Sequence, residues 1–479
     1  MVQLLLGPIV GGLSATSANL WARADGAGIL HAWVGQTPDL SEAQLVGQSL
    51  PLSAPNGFAG VAPVQDLTPD THYHYALILD DTPPDPRKGP YPEFTTFPPP
   101  GQKAPFAFAI GSCFRPEGEH EGQIFQALEA RRQHDNLRFI LLMGDQIYAD
   151  AYQHNGIGKI AATLDDYRAV YHHTWKRPPL RHLLANLPAF MTLDDHEVDD
   201  DWCWSDSQRR QASIPWWNWV KRRVRGLRPR ELSRQRVQDA LKAYWEHQGM
   251  HAPTFHLPPH FDQTSRYTLA PNDPGSLAYS FTFGAAAFFV LDARTCRVRS
   301  KKEQQKTILG DDQWAAFEAW LLSVQHTYPL KFLVTSSALL MRLLVDVLYD
   351  RWGGFRSERD RFLGLLADNH IEGVYLLSGD LHAAHAVSAE LETPSGHPLP
   401  LWEFCATPFE QRTPWLAQYT FNPVPFGRVK RLRRHFTIAR PNFGVVRVNF
   451  ADTGEPQVAF EVYGKEGQHL NSVQTQASL

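Results

Sequence analysis

The stretch Thr192–Trp202, TLDDHEVDDDW, sets six carboxylates and one histidine within eleven residues. Asp194, Asp195, Glu197, Asp199, Asp200 and Asp201 repel one another in any folded site unless positive charge sits among them. A solvated acidic loop is the competing reading, but the preceding AFMTL aims the run at a sheet edge. Three more apolar runs end in residues able to do chemistry. RFILLMGDQIY delivers Asp145 and, three residues on, Tyr148. That pairs a carboxylate able to bridge two cations with a phenolate, a hard ligand suited to ferric iron. GVYLLSGDLHAAH delivers Asp380, His382 and His385 on one turn, an oxygen donor with two imidazoles. FAFAIGSCF delivers Cys113, whose thiolate is a possible metal ligand although a buried cysteine is more often a small apolar residue. Singly, each has a bland reading as a turn, a packed ring or a core thiol. Together they agree in position, and a cation cluster would neutralise the acids while some of them orient histidines.

The elements that must position these groups follow from the same runs. Continuous apolar stretches such as RFILLM, AAAFFVL, KFLV and GVYLL suit strands buried on both faces. Between them lie helix-like segments, GQIFQALEARR, DDQWAAFEAWLLSV and ERDRFLGLLADN, so residues from 105 to 479 are expected to form a layered α/β domain. Functional groups in such sheets gather beyond the carboxyl ends of the strands. Residues 1–100 differ. ANLWARA, GILHAWVG and THYHYALIL alternate or cluster β-formers between turns, and LTPDTHYHYAL resembles the tyrosine corner of immunoglobulin and fibronectin-type sandwiches. The stiff joint TTFPPPGQKAP separates this small all-β domain from the rest. Residues 203–275 are expected as an insertion, and the terminal NFGVVRVNF and QVAFEVYG as strands closing a sheet edge.

Composition narrows the function classes. At 479 residues, 43% hydrophobic and 20% charged, the chain is that of a folded soluble protein with a large and a smaller domain. A net charge of −4 makes no global case for nucleic acid, and no run reaches the ~20 apolar residues that span a bilayer. The four cysteines lack any CxxC pair, which favours reduced thiols. The start shows no basic n-region, so the chain as written reads as cytoplasmic; a removed leader would make it periplasmic or secreted. One feature fits a binding protein instead. Between Arg209 and Arg236 stand ten Lys or Arg against one Glu, beside Trp216, Trp217 and Trp219. Such a stretch suits an anionic membrane surface, single-stranded nucleic acid, or a solvated lid that steers anions. FGRVKRLRRHF is a second basic run.

With these motifs in order (GSC, MGDQIYAD, DDHEV, VLDARTCR, LGDDQWAAFEAWL, DRWGGFRSERDRFL and SGDLHAAH) the chain resembles the alkaline phosphatase D (PhoD-like) family of the calcineurin-type metallophosphoesterases. The resemblance implies a metallophosphoesterase-like β-sandwich flanked by helices, with an N-terminal sandwich domain before it. It implies a phosphate-ester substrate, nucleic acid only as such a substrate, and no particular oligomeric state. It also implies a two-site metal cluster. Cys113, Asp145, Tyr148 and His382 would surround a ferric ion, and Asp145 would bridge to a second metal completed by Asp195 and Asp380. His196 would meet the phosphate or the leaving oxygen, and Arg115 is a candidate phosphate clamp. Relatives commonly carry Asn at position 195, His at 380 and a further His after KFLVTSS, where this chain has Ser336 and Ser337. The oxygen-rich second site therefore favours Ca2+, with Zn2+ or Mn2+ as alternatives. Gly353 stands where many relatives carry an acid, leaving Asp350 as a weaker candidate. The reaction implied is hydrolysis of phosphate mono- or diesters by a metal-bound hydroxide, with a nuclease-type phosphodiesterase as the near alternative.

Overall fold

The computed structural model describes residues 2–116, 121–202, 232–262, 267, 275–342, 351–411, 413 and 421–475. Trp216, Trp217, Trp219, Cys203 and Asp350 lie outside them.

The first hundred residues form seven short strands: β1 (Leu4–Gly11), β2 (Ala18–Ala24), β3 (His31–Gly35), β4 (Gln44–Gln48), β5 (Ala59–Val64), β6 (His72–Ile78) and β7 (Glu93–Thr95). They pair as two antiparallel sheets, β1-β2-β5 and β4-β3-β6-β7. Alternation supplies the inner faces, with Leu20, Tyr75 and Leu77 buried. The tyrosine of LTPDTHY closes its own turn, because the Thr68 amide donates to Tyr73 Oη at 3.1 Å. Trp21 is fully buried, and its Nε1 donates to the Glu246 carbonyl at 2.9 Å. The segment is thereby stitched to the later chain.

The remaining strands are β8 (Phe106–Gly111), β9 (Leu137–Met143), β10 (Ala189–Thr192), β11 (Phe255–Leu257), β12 (Ser276–Phe283), β13 (Ala286–Val290), β14 (Leu330–Val334), β15 (Val374–Ser378), β16 (Ala384–Leu391), β17 (Leu399–Cys405), β18 (Val429–Ile438), β19 (Asn442–Phe450), β20 (Pro456–Gly464) and β21 (His469–Gln474). Among the described residues they make two sheets, β10-β9-β8-β19-β20-β21 and β11-β12-β13-β14-β15-β17-β16-β18. β8, β9 and β10 run parallel, as do β13, β14, β15 and β17. Every residue of β8, β13, β14 and β15 is buried, as the continuous apolar runs require. Phenylalanines fill the space between the sheets: Phe139 meets Phe288 at 5.5 Å and Phe108 meets Phe332 at 5.3 Å, both edge to face.

Helices cover the outer faces. α1 (Gln123–Asp135), α2 (Leu164–Trp175) and α3 (Pro178–Asn186) precede β10; α4 (Arg234–Tyr244), α5 (Gly310–Val324) and α6 (Arg356–Asp368) follow it. α5 and α6 seal the larger sheet through Phe289, Phe317 and Phe362, the last two stacked at 5.3 Å. No helix among the described residues is long and apolar enough to cross a membrane.

One expectation changes. NFGVVRVNF does not close an edge: β19 lies inside the smaller sheet, between β8 and β20, and β21 is the edge strand. Its near-continuous burial is the signature of an interior strand. Of the basic stretch, residues 209–231 lie outside the described residues; Arg236 on α4 is 4% exposed and pairs with Asp199 at 3.3 Å. The second basic run is β18, an edge strand whose Lys430 and Arg431 pair with Glu392 and Glu390. Charges there hinder strand addition.

Candidate metal centre

The parallel strands bring their carboxyl ends to one side. Cys113 follows β8, Asp145 follows β9, Asp195 follows β10, and Asp380 and His382 follow β15. Each turn leaves its strand abruptly. Cys113, Asp145, Asp380 and His382 all have positive φ, between 52° and 66°. For residues with a side chain this left-handed conformation costs roughly 1–2 kcal/mol each. Four in one place mark a site whose geometry overrides backbone preference. The turns brace one another: Cys113 N donates to Gly144 O, Phe114 N to Asp145 O, and Ala149 N to His196 O. Gly379 sets the approach of β15, because a Cβ there would lie 2.6 Å from Ser112 Oγ and 2.8 Å from the Met143 carbonyl. The glycine of SGD is thus required by the meeting of the two sheets.

Two groups of donors meet at Asp145. One atom each from Cys113, Asp145 and His382 lies within 4.8 Å of the others, and so it is for Asp145, Asp195 and His196. Asp145 belongs to both. Its Oδ2 is 3.4 Å from Cys113 Sγ and accepts from Tyr148 Oη at 3.1 Å. Tyr148 Oη is in turn 3.4 Å from His382 Nε2. Arg115 lies with its guanidinium 5.8 Å from the Tyr148 ring centre. Asp380 falls in neither group, and its Oδ2 accepts from Arg351 Nε at 2.7 Å. His385, expected beside His382, is buried within β16 and lies 3.9 Å from Glu403. The strand reverses away from the centre there and carries its ring into the core.

The acidic run sorts itself by partner. Asp194 receives Arg294 Nε at 2.6 Å and Ser336 Oγ at 2.8 Å. Glu197 accepts from the amides of Asp145, Gln146 and Asp194 at 2.7–3.1 Å. Asp199 has Arg236, and Asp195 lies 3.4 Å from Arg294 Nη2. The protein's own cations and amides hold Asp194, Glu197 and Asp199. Asp145 and Asp195 share a donor group with His196, while Asp200 joins Asp195 and Asp201 in one further group and Asp150 and His196 in another. Burial pushes the Asp145 carboxyl up to about 7, against the pull of His196, and the charges of Asp194 and Asp380 add to the rise. Burial also lifts Asp195 well above the usual range, despite Arg294 and His196. Burial lowers His382 to about 4. His196 is raised even though burial opposes it, because Asp150, Asp145 and Asp195 surround it; its Nδ1 meets Asp150 Oδ1 at 2.8 Å.

Comparison with known proteins decides the family. The PhoD-like phosphatase profile matches residues 106–457, a span that holds every donor named above. The chain belongs to the PhoD-like phosphatase family. Alkaline phosphatase D of Bacillus subtilis (strain 168) is 23% identical over 360 residues, covering 68% of this chain and 53% of that protein. The chain thus spans about half the length of the curated relative it matches. A solved structure of PhoD superposes with a TM-score of 0.66 at 20% identity, covering 99% of this chain and 92% of the other. The purple acid phosphatase PPD1 from yellow lupin (Lupinus luteus) seeds gives 0.58 at 12% identity, covering 98% and 73%. Both share the mixed α/β, sheet-rich fold.

Within this PhoD-like chain, three participants escape the motif reading: Asp150, Arg294 and Arg351. Asp150 had a signal, an acid two residues past Tyr148 in DQIYAD. Arg294 and Arg351 sit inside the quoted VLDARTCR and DRWGGF, but only the fold shows that they meet Asp194 and Asp380.

Proposed function

We propose that this chain hydrolyses phosphate esters with a two-site metal cluster built on Asp145. The observation that carries the reading is the sharing of Asp145 between two donor groups of different chemistry. The donor set fits metal. Burial and the Asp145 charge push the Cys113 thiol and the Tyr148 phenol well above their usual ranges, so both need a cation to act as anionic ligands. Cys113, Asp145, Tyr148 and His382 suit a ferric ion; Asp145, Asp195 and Asp380 suit a hard divalent ion such as Ca2+, with Zn2+ or Mn2+ as alternatives. When bound, such a pair supplies an acidified water as nucleophile and neutralises charge on the phosphoryl oxygens.

The chain's own residues do the rest. Asp150 fixes the His196 ring and favours its protonated form, so Nε2 can hand a proton to the leaving oxygen. Arg115 offers a guanidinium to the phosphate oxygens. Arg351 fixes Asp380, and the amides around Glu197 fix the turn that bears Asp145. Residues 1–100, with their two antiparallel sheets, are read as a separate immunoglobulin-like domain before the catalytic domain.

The test is metal analysis with a visible spectrum of the purified protein. A ferric–tyrosinate band is expected, and Tyr148→Phe should remove it. Asp145→Asn should leave less than about a tenth of the turnover in a folded protein. Retained turnover above that level, or full activity after exhaustive chelation, would sink the proposal. Comparing p-nitrophenyl phosphate with its bis-ester separates monoesterase from diesterase.

A further inference from the structure

Away from the centre, among the described residues, one more group of donors converges, on the small sheet β4-β3-β6-β7. His72 and His74 stand two positions apart on β6 and so share a face. The antiparallel register places Glu93 of β7 opposite His74, and Thr95 opposite His72. One donor atom from each of His72, His74 and Glu93 lies within 4.8 Å of the others. His72 Nε2 is 3.3 Å from Glu93 Oε2, and the two rings stand at 87° with centres 4.9 Å apart.

What distinguishes this trio from a surface ion pair is the treatment of the remaining atoms. His74 Nδ1 lies 3.1 Å from the Tyr91 carbonyl, which can only accept, so that nitrogen carries the proton and Nε2 carries the lone pair. His72 Nδ1 lies 3.1 Å from Thr95 Oγ1. Glu93 Oε1 is taken by Arg132 of α1 at 2.8 Å, which leaves Oε2 on the histidine side. Metal-binding imidazoles are held in this way, with the second nitrogen bonded to a carbonyl or hydroxyl and the first presented to the ion. His74 is 6% exposed and therefore rigidly placed, while the His72 side chain is about half exposed and leaves an entry path.

We infer that His72, His74 and Glu93 bind one divalent ion of the zinc class, independently of the phosphatase centre. Two imidazoles and a carboxylate are a known three-ligand set for zinc, with water in the fourth position. Through Glu93 and Arg132 the ion would clip the β6–β7 pair to α1.

The experiment is calorimetric titration of zinc into the full chain, after the main centre has been loaded and excess metal removed. One further zinc equivalent is expected, together with a rise in the unfolding midpoint. His72→Gln and His74→Ala should each abolish both effects and leave phosphate-ester turnover unchanged. Because His74 is buried, the exposed His72→Gln is the decisive variant should His74→Ala fold poorly. No further equivalent, or one that survives His72→Gln, would overturn the inference. Neither readout uses turnover, so the result stands apart from the fate of the phosphatase reading.

Discussion

The centre at the strand ends and the histidine face of β6–β7 gather similar donors by opposite means. At the centre, Cys113, Asp145, Asp380 and His382 leave their strands in left-handed turns, and burial raises Asp145 and Asp195 against ionisation. On the sheet face, the donors ride on regular paired backbone, and none of His72, His74 and Glu93 has positive φ. The first arrangement spends folding stability to aim groups that regular structure cannot aim. The second takes its geometry from register alone. A site that departs from local preference is where function is concentrated.

That contrast can be broken or sharpened. The largest effect is expected from Arg294→Met, which leaves Asp194 buried without its cation. A loss of about 3–5 kcal/mol should appear in denaturant unfolding, and adding Asp194→Leu should recover much of it. No comparable loss is expected from His72→Gln, whose ring is half exposed.

The next effect is pH dependence of the metal-free protein. Asp145 and Glu197, raised by burial to about 7 and about 8 from 3.8 and 4.5, hold protons in the folded state that the unfolded chain has lost. Their contribution is full at low pH and drains away as pH rises towards 8. His196, also raised, drains in the same direction. His382, lowered by burial to about 4, opposes this only up to its ordinary 6.5. Between pH 6.5 and 8 the unfolding free energy of metal-free protein should therefore fall, by up to roughly 1.4 kcal/mol per group per pH unit. Loading metal should remove the Asp145 share of the fall; a flat profile without metal would contradict the burial assigned to the centre.

The smallest effect is a difference in sign. Asp145→Gly should be more stable than Asp145→Ala by about 1 kcal/mol, because glycine accepts the left-handed turn. On the sheet face, His74→Gly should be less stable than His74→Ala by about 0.5–1 kcal/mol. Thermal melts of the four variants check both.

The order of legibility follows from the same physics. Cys113, Asp145, Tyr148, Asp195 and His382 could be read because each lies just past a continuous apolar run, and such runs in a layered fold end on one side. Arg294, Arg351 and Ser336 were illegible as partners, since a side chain that answers a distant acid leaves no local pattern. His72 and His74 were hidden in plain alternation: THYHYAL reads as an ordinary strand, and Glu93 joins only through β7 pairing. Misplacing β19 at an edge had a similar origin, because strand order is a tertiary property that local pattern does not carry.

The interior place of β19 has a consequence for biosynthesis. β8, which leads to Cys113, has β19 as one of its two neighbours, paired from Gly444 to Val448. A ribosome thus exposes every candidate donor well before β19, the partner of β8, has emerged. The nascent chain must wait with acidic turns and a bare sheet flank in view, an interval in which chaperones would find it and an early stop codon would leave no working centre.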